Sequence, residues 1–130
     1  MAVQREERGW AGHYICAYLC QFRRNTLLTC GDRRIVVSTV GNMYDKRGQR
    51  EEIGYQRYYE TMAFEAVLKN GYYEADVDRE VPFESPWSLN ENDEQSDQKA
   101  NDMHEAVVAE LTRGLEAGEG ATDEAHATEA

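Results

Sequence analysis

The chain has 130 residues, 41% of them apolar, with 14 Lys and Arg against 25 Asp and Glu and a formal net charge of −11. That length holds one domain, and no apolar run approaches the ~20 residues that a membrane-spanning helix needs. The acidic balance opposes direct binding to duplex nucleic acid, whose phosphates it repels at long range. The charge is uneven: residues 1–70 carry 11 basic and 8 acidic side chains, whereas residues 71–130 carry 3 and 17. The second half is therefore where a basic partner would be met.

Residues 1–9 are charged and are expected to form a flexible arm. They lack an apolar stretch, so they are not expected to act as a signal peptide. Trp10 to Phe22 is apolar and aromatic on alternate positions and between them, which predicts a strand buried on both faces or one ending in a turn of helix. Thr26 to Cys30 reads as a short strand and Gly31-Asp32 as a turn. Arg33 to Val40, rich in Val, Ile and Thr, is the clearest strand, and its spacing from Thr26–Cys30 fits an antiparallel hairpin. Residues 42–54 are polar and contain Gly48, which predicts a loop. Residues 55–68 fit a strand or a helix; their aromatic density and Thr61 favour the strand, and Asn70-Gly71 then becomes a hairpin turn into Tyr72–Val77. Pro82 and Pro86 break regular structure. Ala100, Met103, Val107 and Leu111 recur at helical spacing, predicting a helix from about 98 to 113 with Ser96 or Asp97 as cap and Gly114 as stop. Beyond residue 115 nothing larger than Ala is available for a core, so 115–130 is expected to be a disordered acidic tail. The sum is one α+β domain over residues 10–114: a four- or five-stranded, mainly antiparallel sheet with the helix packed on one face.

Three groups of side chains carry chemistry. His13, Cys16, Cys20 and Cys30 are residue types that ligate zinc, but the spacing is not a common zinc pattern and a closed site needs four convergent ligands, so no metal and no cofactor is expected. The three cysteines are an odd number and are expected to be reduced thiols. A thiolate–imidazole pair built from Cys16 or Cys20 with His13 or His104 would be the route to an enzyme. The second group joins Arg33, Arg34 and Arg57 to Tyr58 and Tyr59: guanidinium groups bind phosphate bidentately and aromatic rings stack on bases, so the set could hold a small nucleotide. The third is the acidic set Asp93, Glu94, Asp97, Asp102, Glu105 and Glu110, which could face a basic surface on another protein.

Three blocks in order, Trp10-Ala11-Gly12-His13-Tyr14-Ile15-Cys16, Val37-Ser38-Thr39-Val40-Gly41 and Tyr59-Glu60-Thr61-Met62-Ala63-Phe64, give the chain a resemblance to small accessory proteins encoded by tailed phages and prophages, over about residues 9–110. The resemblance implies a small protein of the host cytoplasm made during infection, and it carries over no catalytic residue. Such proteins often act by binding. The expectation is a stoichiometric antagonist of a host defence that blocks a basic nucleic-acid-handling protein through the acidic set. The alternative is a sponge for a small nucleotide signal, using the Arg and Tyr set. A third reading is an enzyme built on Cys20 and His13.

Overall fold

The computed structural model describes residues 2–9, 13 and 17–118. Among these, seven strands and one α-helix follow in the order β1 (Gln4–Glu7), β2 (Cys20–Cys30), β3 (Arg33–Tyr44), β4 (Arg50–Glu51), β5 (Tyr59–Lys69), β6 (Tyr72–Glu80), β7 (Ser88–Leu89) and α1 (Ser96–Ala117), with a 3₁₀ turn at Ala17–Leu19 before β2. The strands form one antiparallel sheet in the order β1-β2-β3-β5-β6, with β4 paired to β3 and β7 to β5. The fold is α+β, with α1 on one face. α1 is not long and apolar enough to cross a membrane.

The two hairpins form where the sequence predicts them. Asn70 and Gly71 both have positive φ (51° and 81°), the pair of left-handed residues that matches the twist of the flanking strands. Residues 55–68 resolve as the strand reading from Tyr59 onward. A helix would bury one stripe, whereas here both sides of the segment are covered. Tyr59, Thr61 and Ala63 are buried on the side of α1, and Glu60 and Phe64 are buried on the other.

Other boundaries differ from expectation. Residues 10–12 and 14–16 lie outside the described residues, and the strand of this region begins only at Cys20. Within the stretch read as a flexible arm, Gln4–Glu7 pairs with Thr26–Thr29 as an edge strand. Its side chains have specific partners, because Glu7 accepts hydrogen bonds from Thr26 and Arg24. The helix does not stop at Gly114. Glycine inside a helix costs about 1 kcal/mol relative to alanine, but the extra turn buries Leu115, worth roughly 1.5–3 kcal/mol, so the helix continues. It ends at Gly118, whose φ of 75° and N–H bonds to Gly114 and Leu115 carbonyls form the cap. The tail assigned to disorder falls, from residue 119, outside the described residues.

Leu28, Ile35, Val37 and Ala63 of the sheet pack against Val107, Val108, Leu111 and Leu115 of α1. At the far end of the strands Tyr59 packs with Ala100 and Met103. A side chain at Gly41 would collide there: a Cβ would lie 2.4 Å from the Tyr59 ring and 2.6 Å from the Tyr58 carbonyl oxygen. Gly41→Ala is expected to destabilise the fold by about 1–3 kcal/mol, the usual cost of overpacking. Urea unfolding measures it; an unchanged midpoint would mean that Tyr59 has room to move aside.

Candidate functional site: a polar cavity on the sheet face away from the helix

The register of the sheet sorts the central polar residues onto two faces. Thr26 lies opposite Val37, and Asn25 opposite Ser38. Ser38 in turn lies opposite Met62. Asn25 and Ser38 therefore point away from α1. A register shift between Phe64 and Ala66 bends the β5–β6 pairing. The β6 end of that hairpin comes close to the far edge of the sheet. Arg8, just after β1, donates from Nη1 to the Tyr73 carbonyl at 2.5 Å and lies 4.3 Å from the Tyr72 ring centroid. Arg34 of β3 stacks on Tyr73 at 4.5 Å. Between these elements is a cavity of about 250 Å³, lined in part by Arg8, His13, Asn25, Ser38, Tyr72 and Glu74.

His13 is the hub of the wall. Its Nε2 is 2.7 Å from Glu60 Oε2 and its Nδ1 is 2.9 Å from Ser38 Oγ, while its backbone N–H donates to Ser38 Oγ at 3.2 Å. A carboxylate can only accept, so Nε2 carries the hydrogen, and in the neutral ring Nδ1 accepts from the Ser38 hydroxyl. Arg57 Nε donates to the other Glu60 oxygen at 3.1 Å. Ser38 is 1% exposed and Glu60 7%. Burial by itself would raise the Glu60 carboxyl; its His13 and Arg57 partners outweigh that and hold it below the usual range. Arg8 is held by Asn25 Oδ1, which accepts from its Nε at 3.0 Å, and by the Tyr73 carbonyl. Its Nη2 is buried with no hydrogen-bond partner among the described residues.

The residues singled out from sequence have other surroundings. Arg33 pairs with Glu65. Arg57 pairs with Glu60 and lies 5.1 Å from the Trp87 ring. Tyr59 is fully buried, and its hydroxyl donates to Asp97 at 2.5 Å. Tyr58 is partly buried beside the Tyr59 cluster. Arg33 and the Gly41 position opposite Tyr59 are eight residues apart on β3, about 26 Å at ~3.3 Å per residue. The Arg and Tyr set is thus split between the two ends of the sheet.

Most of the acidic set has intramolecular partners. Glu105 takes both terminal nitrogens of Arg5 and also pairs with Arg24; the Arg5 hydrogen bond is the main cause of its carboxyl falling to about 2. Glu110 accepts from the Glu84 and Ser85 backbone and the Ser85 hydroxyl. Asp93 accepts from Gln95 N–H and the Ser96 hydroxyl, and Asp97 from Tyr59 and Asn42. Among the described residues Asp102 accepts from the neutral Gln98 alone, and Glu94 is exposed.

Cys20 is buried with Val40, Met43 and Ile53 at one end of β2, and Cys30 is at the other, about 33 Å away at ~3.3 Å per residue. Cys16 lies outside the described residues. His13 and His104 both lie within hydrogen-bond distance of hydroxyls, and a Cys16 pairing falls outside the described residues. Among the described residues no group of three or more His, Cys, Asp or Glu is placed to hold a metal ion.

Sequence reasoning found His13 but missed Arg8, Asn25, Ser38 and Glu60. For Ser38 the available signal was a polar residue inside the run Ile35-Val36-Val37 to Val40, since a buried polar side chain is the informative departure from the apolar rule; Arg8, Asn25 and Glu60 lie in mixed stretches that carry no such signal. What the fold and its site define is a small α+β domain with a polar, arginine-bearing cavity on the sheet face opposite its helix. Comparison with protein-family models, curated proteins and solved structures finds no match to the chain.

Proposed function

We propose that the protein acts by stoichiometric binding of a small anionic ligand in this cavity. The observation that supports the reading most directly is Arg8: a guanidinium fixed by Asn25 and Tyr73, on the cavity wall, with one buried nitrogen that has no hydrogen-bond partner among the described residues. A buried cationic donor without an acceptor is costly, and a carboxylate or phosphate oxygen would remove that cost. At about 250 Å³ the cavity is below the roughly 300–1,000 Å³ of most ligand pockets, which favours a monomeric ligand over an oligomer. Taken with the resemblance to tailed-phage accessory proteins, we read this binding as sequestration of a small signal that a host defence depends on, and the residues that carry it as Arg8 and Asn25 rather than Arg33, Arg34, Arg57, Tyr58 and Tyr59.

Thermal-shift titration with inorganic phosphate, AMP and succinate tests the reading. At least one probe is expected to raise the melting temperature of the parent, with affinity lowered roughly 10- to 150-fold in Arg8→Ala, since a charge-assisted hydrogen bond contributes ~1.5–3 kcal/mol. Binding unchanged in Arg8→Ala would overturn it. A second reading, blockade of a basic host protein, is favoured by the exposure of Glu94 and Asp102, which make no ion pair among the described residues. It would show instead as salt-sensitive capture of a protein partner, weakened by Glu94→Gln with Asp102→Asn.

A further inference from the structure

We infer that Ser38 is a nucleophile and that the cavity cleaves small activated acyl esters, with His13 as general base. The inference rests on the reading above that the cavity admits small ligands. Three features carry it. The Ser38 hydroxyl, His13 ring and Glu60 carboxylate are joined in series at 2.9 Å and 2.7 Å, and the donor order imposed by the carboxylate makes Nδ1 the acceptor of the Ser38 proton. Both Ser38 and His13 line the cavity. Glu60 is itself held by Arg57 at 3.1 Å, so the carboxylate that orients the ring is itself oriented. A nucleophile, a base and an orienting acid in hydrogen-bond reach are the parts acyl transfer needs.

The chemistry balances without a cofactor. Ser38 Oγ attacks the acyl carbon as its proton passes to His13 Nδ1, and Glu60 stabilises the imidazolium through Nε2–H. The carbon–oxygen bond to the leaving alkoxide breaks, and His13 returns the proton to that oxygen. Water, deprotonated by His13, then attacks the acyl-serine and releases the acid, and Ser38 recovers its proton. Negative charge on the carbonyl oxygen during both steps is met from the same wall. Asn25 Oδ1 is occupied by Arg8 Nε, which leaves the Asn25 Nδ2 amide and the Arg8 guanidinium as donors. Ser38 and His13 touch the reacting atoms; Glu60 and Arg57 are positioning residues. Because Ser38 is 1% exposed, reagents reach it only through the cavity, so the acyl group must be small.

The test uses the full chain with p-nitrophenyl acetate and, separately, phenylmethylsulfonyl fluoride, read by intact-mass and peptide mass spectrometry. One acetyl or sulfonyl group is expected at Ser38, with a burst of one p-nitrophenol per chain. The labelling rate should fall at least tenfold in Glu60→Gln, with part of it retained in Glu60→Asp. Ser38→Ala should take no adduct at that position. If it does not fold by circular dichroism, Ser38→Cys serves instead, and iodoacetamide should alkylate position 38 faster than Cys20 or Cys30. A folded parent with no adduct at Ser38, or one whose labelling is indifferent to Glu60→Gln, overturns the inference. Anion binding intact without Ser38 labelling sinks this proposal alone. Ser38 labelling without anion binding sinks the ligand reading alone.

Discussion

Leu111→Ala is expected to lower the unfolding free energy by roughly 2–5 kcal/mol, the range for emptying a core leucine site. Leu111 is 8% exposed and sits between Leu28, Ile35 and Val37 of the sheet and Leu115 of its own helix. The neighbours that would have to close the gap are on strands fixed by pairing on both sides, so little collapse is available. Small domains have total stabilities of only about 5–15 kcal/mol, so the change removes a large share. Urea unfolding followed by circular dichroism measures it. A variant that unfolds at the parent's midpoint would mean that α1 contributes almost nothing to the core.

Stability is expected to fall by about 2 kcal/mol between pH 7 and pH 5, and by about 3 kcal/mol by pH 4, on account of His104 alone. Its ring is fully buried between the helix and the sheet. Nε2 lies 2.7 Å from Thr26 Oγ1 and Nδ1 2.7 Å from Thr39 Oγ1. The Thr26 hydroxyl donates to Glu7, so Thr26 accepts from Nε2–H and Nδ1 accepts from Thr39. A second proton would have to be placed on Nδ1. Burial chiefly, and then the charge of Arg24, push the ring down to about 4 from its ordinary 6.5. The unfolded chain therefore binds a proton that the folded chain refuses between those values, and stability is lost as pH falls through that window. The check is urea unfolding at pH 7, 6 and 5, where most carboxylates remain ionised, beside the His104 ring resonances by NMR. A flat profile, or a His104 ring that titrates near 6.5, would contradict the assignment.

The same residue shows what was legible and what was not. His104 falls on the helical stripe of Ala100, Met103, Val107 and Leu111, so a reader of the sequence could place it on the buried face of a helix. Its partners Thr26 and Thr39 are 78 and 65 residues away, and no local pattern brings them together. The acidic set behaves likewise. Composition makes the second half strongly negative, yet whether Glu105 faces a partner or Arg5 and Arg24 depends on where β1 docks. β1 itself is four polar residues, three of them charged, with no strand signal, made a strand by the free edge of β2.

Sequence by itself determined the α+β class, the β2–β3 hairpin, the β3 strand and the buried stripe of α1. Each of these is written in residues close together in the chain: a Gly-Asp turn, a run of β-branched side chains, an apolar period of 3.6. Only the tertiary structure decided that residues 59–69 form a strand, that Arg33 and Arg57 lie at opposite ends of the sheet, and that Ser38, His13 and Glu60 meet beside Arg8. The reason is register. A shift of one residue in strand pairing moves every side chain to the other face. The site exists because Asn25 pairs with Ser38 and Val40 with Glu60, contacts between segments 13 and 20 residues apart that are chosen by burial over the whole sheet.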